Sequence, residues 1–505
     1  MTRKPTLLVI LDGFGSAPPG PYNAISQAQT PHLRTWFKDY PCAYLKASGT
    51  AVGLPFGYIG NSEVGHETIG AGRIIQQPLT IINNAIKSQS IENNKTLAEA
   101  FQYLACAKKP LHIMGLLSDA GVHSHVDHLY AFIKLAKHFT INQTYLHLFL
   151  DGRDVPPQSA SHYLKTLETT LIQEKYGTLA SLHGRFYAMD RDKNWDRTEK
   201  SYRTLTYHKL STFSSWQEIL NYYYNQGITD EFIPPTQLTP EGIIKHNDGI
   251  LCFNFRPDRI RQLTACFLDP QRTGLNITPP QLSCFISPYP YASYLHTQAL
   301  FEHTPVNNTL KEVLAAHHKK MFTIAETEKY AHVTYFFNGE KEEPLQGETR
   351  VMISSIKAKT YVEHPCMKAP EITDAVIEAL HSQQYDFYLI NYANADMVGH
   401  SGNVPATIQA IECLDQQLKR LYDNVIKRYQ GTLYITADHG KAEQLWDEKT
   451  NQPCTAHTTN LVPFLAINQQ YVEQSVMLSL QELSDIAPYI LKKMGLFIPH
   501  EMNKI

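Results

Sequence analysis

The sequence has no surplus of charge of either sign, little cysteine and no hydrophobic run long enough to span a membrane. Lys and Arg number 45 against 48 Asp and Glu, a formal charge of −3. Without net positive charge there is no bulk field to hold a phosphate backbone, which argues against nucleic acid as a partner. The 8 Cys lie at 42, 106, 252, 266, 284, 366, 413 and 454, with no CxxC pair and no dense cluster. That spacing suggests neither a zinc ribbon nor a disulfide framework, and free thiols in a reducing cytosol are expected. The apolar run Thr6 to Leu11 is broken by Asp12 before it reaches signal-peptide length, and no later stretch approaches a span. The expectation is a cytoplasmic protein with no membrane partner.

What is present is apolar bulk. Hydrophobic residues make up 43% of 505 residues, with 29 Tyr and 21 Phe, enough to fill several cores. Length alone predicts roughly two to four domains. Short apolar runs that stop at an acidic residue recur, as in Thr6 to Gly13, Tyr385 to Asp396 and Gly431 to Gly440. Each reads as a buried parallel strand. Between the last two, Ile408, Ile411, Leu414, Leu418, Leu421 and Val425 recur at helical spacing, which completes a strand–helix–strand unit. Ligands of open α/β sheets bind beyond the carboxyl ends of the strands, where Asp12, Asp396 and Asp438 are placed.

The middle of the chain alternates in the same way. Leu111 to Asp119, Thr144 to Asp154 and Gly249 to Asp258 are strand-like runs ending in polar residues, and Gly227 to Gly242 reads as a long loop. The simplest arrangement is one α/β domain inserted into another, with residues 77–305 interrupting a domain made of 1–76 and 306–505. The junctions are the expected hinges.

Chemistry-bearing residues concentrate at the strand ends. Asp396 and His400 stand four apart in DMVGH, so a helical segment projects both from one face, and His457 in CTAHTTN offers a third ligand. Asp12, Asp438 and His439 offer a second set of oxygen and nitrogen donors. In GNSEVGH, Ser62 is placed where a turn enters a helix. It is either a cap or a nucleophile that a metal would activate. GNSEVG is one residue too long for the GxSxG elbow of an α/β-hydrolase. The string HSHVDH, His123 to His128, matches a metal-pair pattern of metallo-β-lactamase-like hydrolases. Arg153, Arg185, Arg191, Arg256 and Arg259 stand beside turn signals and suit either a small polyanion or surface ion pairs.

Together these residues resemble the cofactor-independent phosphoglycerate mutase family, alkaline-phosphatase-like metalloenzymes. The resemblance runs in order through LDGFG, GNSEVGH with IGAGR, SDAGVHSHVDH, DGRDVPP, GRFYAMDRD, NFRPDR, ETEKYAHVTYFFNG, NYANADMVGHSG, ADHGKAEQ and TAHTTNLVPF. It implies a discontinuous, doubly wound phosphatase domain with two Mn2+ ions, Zn2+ or Co2+ also being able to bind, and an inserted α/β transferase domain for the glycerate. One ion would be held by Asp396, His400 and His457, the other by Asp12, Ser62, Asp438 and His439, with Ser62 the residue phosphorylated. His123, Arg153, Asp154, Arg185, Arg191, Arg256 and Arg259 would bind substrate, with Lys329 near the transferring phosphoryl group. HSHVDH thereby moves from metal site to sugar-acid site. The activity implied is interconversion of 3- and 2-phosphoglycerate without 2,3-bisphosphoglycerate, by a monomer; a phosphomonoesterase of the same superfamily is the alternative. The sequence departs from the family at Phe56 and Tyr58-Ile59, where a Glu and a Gln-Met are usual, and at Lys441, where Asn is usual.

Overall fold

The computed structural model describes residues 3–208, 212–358, 360–447, 451–471 and 477–502. The chain forms two compact units, one of residues 1–77 and 305–505, the other of residues 78–304.

The discontinuous unit is built on a seven-stranded sheet. In spatial order its strands are Glu348–Ile353, Met321–Glu326, Phe387–Tyr392, Thr6–Leu11, Thr432–Thr436, Val462–Asn468 and Cys42–Leu45. The first five run parallel, and Val462–Asn468 is antiparallel to both of its neighbours. Thr6–Leu11 is wholly buried, as its unbroken apolar run requires for a strand covered on both faces. Its register, Leu11 opposite Tyr392 and Ile10 opposite Thr436, brings three strand ends level. Asp12 follows its strand directly and Asp438 lies two residues beyond Thr436. Asp396 is different: its strand stops at Tyr392, and the carboxylate sits on the short helix Asn394–Gly399. The helical periodicity after it becomes Val404–Tyr422, prolonged by a π-helical turn Asp423–Arg428.

The second unit also holds a seven-stranded sheet, in the order Thr236–Gln237, Thr178–Gly184, Thr144–Leu150, Leu111–Leu117, Gly249–Cys252, Cys284–Ser287 and Gln298–Ala299. All its pairings are parallel except that of Thr236–Gln237, a two-residue edge strand inside the stretch expected to be a loop. Both units are therefore α/β. No helix among the described residues is long and apolar enough to cross a membrane.

One expectation is corrected. Cys366 and Cys413, 47 residues apart, are joined as a disulfide with a Cα–Cα distance of 5.7 Å, while the other six cysteines are free. Their spacing carries no disulfide signature because the pairing is tertiary: Cys366 lies in the segment before Ala369–His381, and Cys413 is on Val404–Tyr422.

Candidate active site

Ser62 opens the helix Ser62–Ala71, and the preceding Asn61 caps it by accepting from the Val64 amide at 3.0 Å. Asn61 thus does the capping, which frees the Ser62 hydroxyl. That hydroxyl is buried and donates to Asp12 Oδ1 at 3.1 Å. It accepts from Lys329 Nζ at 2.7 Å and stands 3.0 Å from His439 Nε2. The Lys329 ammonium also donates to Asp12 Oδ1 and Asp396 Oδ2, each at 2.7 Å. Burial alone would raise the carboxyl groups of Asp12 and Asp396, but the Lys329 charge outweighs it, joined at Asp12 by a hydrogen bond from His439, and both are held well below the usual range. Burial opposes charge on His439 too, yet Asp438, Asp12 and Asp396 raise it to about 9.

Asp396 Oδ1, His400 Nε2 and His457 Nε2 form a triangle whose three sides are each 3.1 Å. The far nitrogens are committed elsewhere: His400 Nδ1 donates to the Thr455 carbonyl at 2.8 Å and His457 Nδ1 to the Gly60 carbonyl at 2.9 Å. Those bonds select the tautomer in which each Nε2 carries its lone pair toward the carboxylate, the arrangement of a metal-ligating imidazole. Asp396 Oδ1 and Asp438 Oδ2 are buried without a hydrogen-bond partner. Carboxylate oxygens left bare in this way, with imidazole lone pairs beside them, fit a divalent cation.

Three groups have ligand atoms within 4.8 Å of one another: Asp396 with His400 and His457, Asp12 with His66 and Asp438, and Asp12 with Asp396 and His439. The first matches a set named from sequence. Of the second set from sequence, Asp438 groups with Asp12 and His66, His439 groups with Asp12 and Asp396, and Asp438 Oδ2 lies 3.6 Å from His439 Nε2 and 3.1 Å from His66 Nδ1. His66 and Asn391 were not anticipated. Asn391 donates to Asp12 Oδ2 at 2.9 Å and stands 3.0 Å from His66 Nε2. His66 was visible as the last residue of GNSEVGH, one helical turn beyond Ser62; Asn391, inside an apolar run, carried no signal.

In the second unit the basic residues gather around carboxylates. Arg185 Nη1 donates to Asp151 and Asp154, each at 2.6 Å, and Asp258 receives Arg191 at 3.0 Å and Arg256 at 3.3 Å. Arg153 reaches Glu231 at 3.4 Å, and Arg259 donates to the Met189 carbonyl at 3.5 Å. His123 is 3.9 Å from Asp154 and 3.6 Å from Asp258. Burial, helped by Arg185, Arg256 and Arg259 and opposed by Asp258, pushes His123 down to about 3, so it is neutral at physiological pH. Arg259 is lowered by burial and by Arg191, Arg185 and Arg153, which marks a surplus of positive charge that an anion would relieve. Asp151 and Asp258 were not named as site residues in advance, although both lie inside motifs that were. HSHVDH is not a metal cluster: His125 caps Val126–His138, and His128 is buried against Asn83 at 2.8 Å.

A buried hydroxyl at a helix start, ringed by carboxylates, imidazoles and one ammonium at the ends of parallel strands, defines a metal-dependent phosphoryl-transfer class. Residues 82–293 match the family model described as BPG-independent PGAM N-terminus. The chain is 48% identical over 503 residues to the 2,3-bisphosphoglycerate-independent phosphoglycerate mutase of Legionella pneumophila (strain Paris), covering 99% of this chain and 97% of that one. To the enzyme of the same name from Clostridium novyi (strain NT) it is 44% identical over 510 residues, covering 100% and 99%. A solved structure of Leishmania mexicana phosphoglycerate mutase at low cobalt concentration superposes with a TM-score of 0.77 at 30% identity, covering 99% and 97%. The chain belongs to the 2,3-bisphosphoglycerate-independent phosphoglycerate mutase family. It is accordingly an enzyme, an isomerase acting on a small molecule.

Proposed function

We propose that the enzyme interconverts 3-phosphoglycerate and 2-phosphoglycerate, a step of glycolysis and gluconeogenesis, through a phosphoserine at Ser62. The observation that carries this reading is the setting of Ser62 Oγ, which donates a hydrogen bond to Asp12 and faces two cationic groups, Lys329 at 2.7 Å and His439 at 3.0 Å. The Lys329 and His439 contacts favour the oxygen in its negative, attacking form, and the hydrogen bond to Asp12 orients the hydroxyl. As the bond from Ser62 Oγ to phosphorus forms, the bond to the 3-oxygen of glycerate breaks, and that oxygen takes up the proton that Ser62 loses. The 2-hydroxyl then attacks phosphorus as the bond to Ser62 Oγ breaks, and its proton returns to Ser62. Two divalent cations held by Asp396, His400 and His457 and by Asp12, Ser62, Asp438 and His439 would acidify the serine hydroxyl and neutralise phosphoryl oxygens, and Mn2+ suits these ligands.

Water competes for the phosphoserine, so a mutase must keep glycerate close. The substrate group of His123, Arg153, Asp154, Arg185, Arg191, Arg256 and Arg259 would do so, its guanidinium groups gripping the carboxylate and neutral His123 meeting a hydroxyl. The reading includes a monomeric, cytoplasmic enzyme that needs no 2,3-bisphosphoglycerate. The test supplies purified protein with Mn2+ and 3-phosphoglycerate alone. Formation of 2-phosphoglycerate, its loss in Ser62→Ala with glycerate binding retained, and phosphate on Ser62 in quenched reactions are expected. Free phosphate as the main product would instead assign a phosphomonoesterase, and substantial turnover by Ser62→Ala would remove the phosphoserine.

A further inference from the structure

The loops that carry the Asp/His cluster are joined by a carboxylate outside it. Glu443 is buried and belongs to none of the three candidate ligand groups. Its Oε2 accepts from the Gly15 amide at 3.1 Å and from the Lys441 amide at 2.8 Å. Its Oε1 accepts from Asn460 Nδ2 at 3.0 Å and from the Thr458 hydroxyl. The four donors come from three separate segments. Gly15 lies three residues after Asp12, Lys441 two residues after His439, and Thr458 directly after His457.

The surrounding backbone leaves no slack. Ala442 N donates to the Gly13 carbonyl at 3.0 Å, and Thr458 N donates to the Gly440 carbonyl at 3.0 Å. A Cβ on Gly15 would lie 2.2–2.4 Å from the Glu443 carboxyl group, and one on Gly440 would lie 2.4 Å from Glu443 Oε1 and 2.3 Å from Thr458 Oγ1. Both glycines are needed for this close approach. These three ligand loops are thus pressed against the same carboxyl group, and the relative positions of Asp12, Asp438, His439 and His457 follow from where its two oxygens sit.

We propose that Glu443 is a positioning residue that sets the ligand geometry of both cation sets, with Oε2 registering the Asp12 and Asp438–His439 loops and Oε1 registering the His457 loop. The inference rests on the reading of the Asp/His cluster as a metal centre. Partners that orient metal ligands through hydrogen bonds typically change affinity by about 10- to 100-fold when removed. The two oxygens have separable duties, so they predict separable losses. Glu443→Gln keeps a carbonyl oxygen for the Gly15 and Lys441 amides and turns its NH2 toward Thr458, whose hydroxyl can accept, and Asn460, whose amide can flip. Glu443→Ala keeps neither side. Thr458→Val loosens only the His457 loop, removing one of its two side-chain bonds to Oε1.

The experiment is Mn2+ binding by titration calorimetry on metal-free full-length protein, with circular dichroism confirming that each variant is folded at the titration temperature. Glu443→Ala should bind Mn2+ at both sites about 10- to 100-fold more weakly than wild type. Glu443→Gln should restore most of that affinity, and Thr458→Val should weaken one binding event while sparing the other. A general loss of packing would not be rescued by Gln or confined to one site. Wild-type affinity in folded Glu443→Ala, or in Thr458→Val should the alanine variant not fold, overturns the proposal. A wild-type protein that takes up no divalent cation overturns the metal reading and this inference with it.

Discussion

Lys329 is the residue on which the charge balance of the site turns. Its ammonium is buried between Asp12 and Asp396, and although burial alone would lower it, those carboxylates and Asp438 raise it above its ordinary value. Removing one partner of a buried ionic group leaves the others uncompensated, at a cost of about 3–5 kcal/mol. Lys329→Met should therefore lower the melting temperature of the metal-free protein markedly. Mn2+ should recover more of that temperature in the variant than it adds to wild type, because a cation supplies the missing positive charge. Equal Mn2+ shifts in the two proteins, read by thermal melts with and without metal, would count against a cation site beside Lys329. At this scale the sequence was a partial guide. Asp12, Ser62 and Asp438 stand in recognisable strings at strand ends, and Lys329 came forward only through the family resemblance. Asn391, Asp151, Asp258 and Glu443 act through partners in distant segments, and a hydrogen bond between distant segments leaves no mark on local spacing.

Among the elements, the central strands of the insert carry a row of buried imidazoles. His112 Nδ1 is 3.0 Å from His147 Nε2, His147 Nδ1 is 2.7 Å from Ser181 Oγ, and Ser181 Oγ is 2.7 Å from His183 Nε2. Asp248 closes the row at 3.2 Å from His112 Nε2. Burial lowers all three histidines, with His183 at about 3. The unfolded chain binds these protons at the ordinary value near 6.5 and the folded chain does not, so the unfolded state holds more protons in acid. The contribution of the row is intact above about pH 6.5 and declines as pH falls from there, that of His183 down to about 3. Calorimetric melts at pH 7.5, 6 and 5 should show a falling transition temperature, and His183→Phe should shallow the fall. A slope unchanged in the variant would show that His183 takes no part. The strands themselves were legible as apolar runs, but the imidazoles were not, because alternation tells which face a side chain joins and not which neighbours it meets there.

In the whole molecule, the Cys366–Cys413 bond closes a loop of 47 residues within the discontinuous unit. The chain-entropy model assigns such a loop about 4 kcal/mol, an upper value wherever the reduced chain keeps structure. The reduced protein and Cys413→Ala should melt at the same temperature, below that of the oxidised protein, in scans with and without dithiothreitol. Coincident melting of oxidised and reduced protein would mean the bond contributes no stability. The same long reach governs the active site. Ser62 and His439 are 377 residues apart, and Gly13 donates to Asp438 across 425 residues, with the whole insert between them. Threading the first strand between two late ones is what makes them neighbours.

By itself the sequence determined the α/β alternation, the acidic residues at the strand ends and the family, since each is written in short stretches whose pattern reflects local burial and turn chemistry. Only the tertiary structure decided which of those residues meet: that His66 and Asn391 join Asp12, that Asp258 is shared by two arginines, that two cysteines pair, and that one buried glutamate touches three ligand loops. The reason is that strand order and register set contacts between distant segments, and they emerge from the packing of the whole sheet.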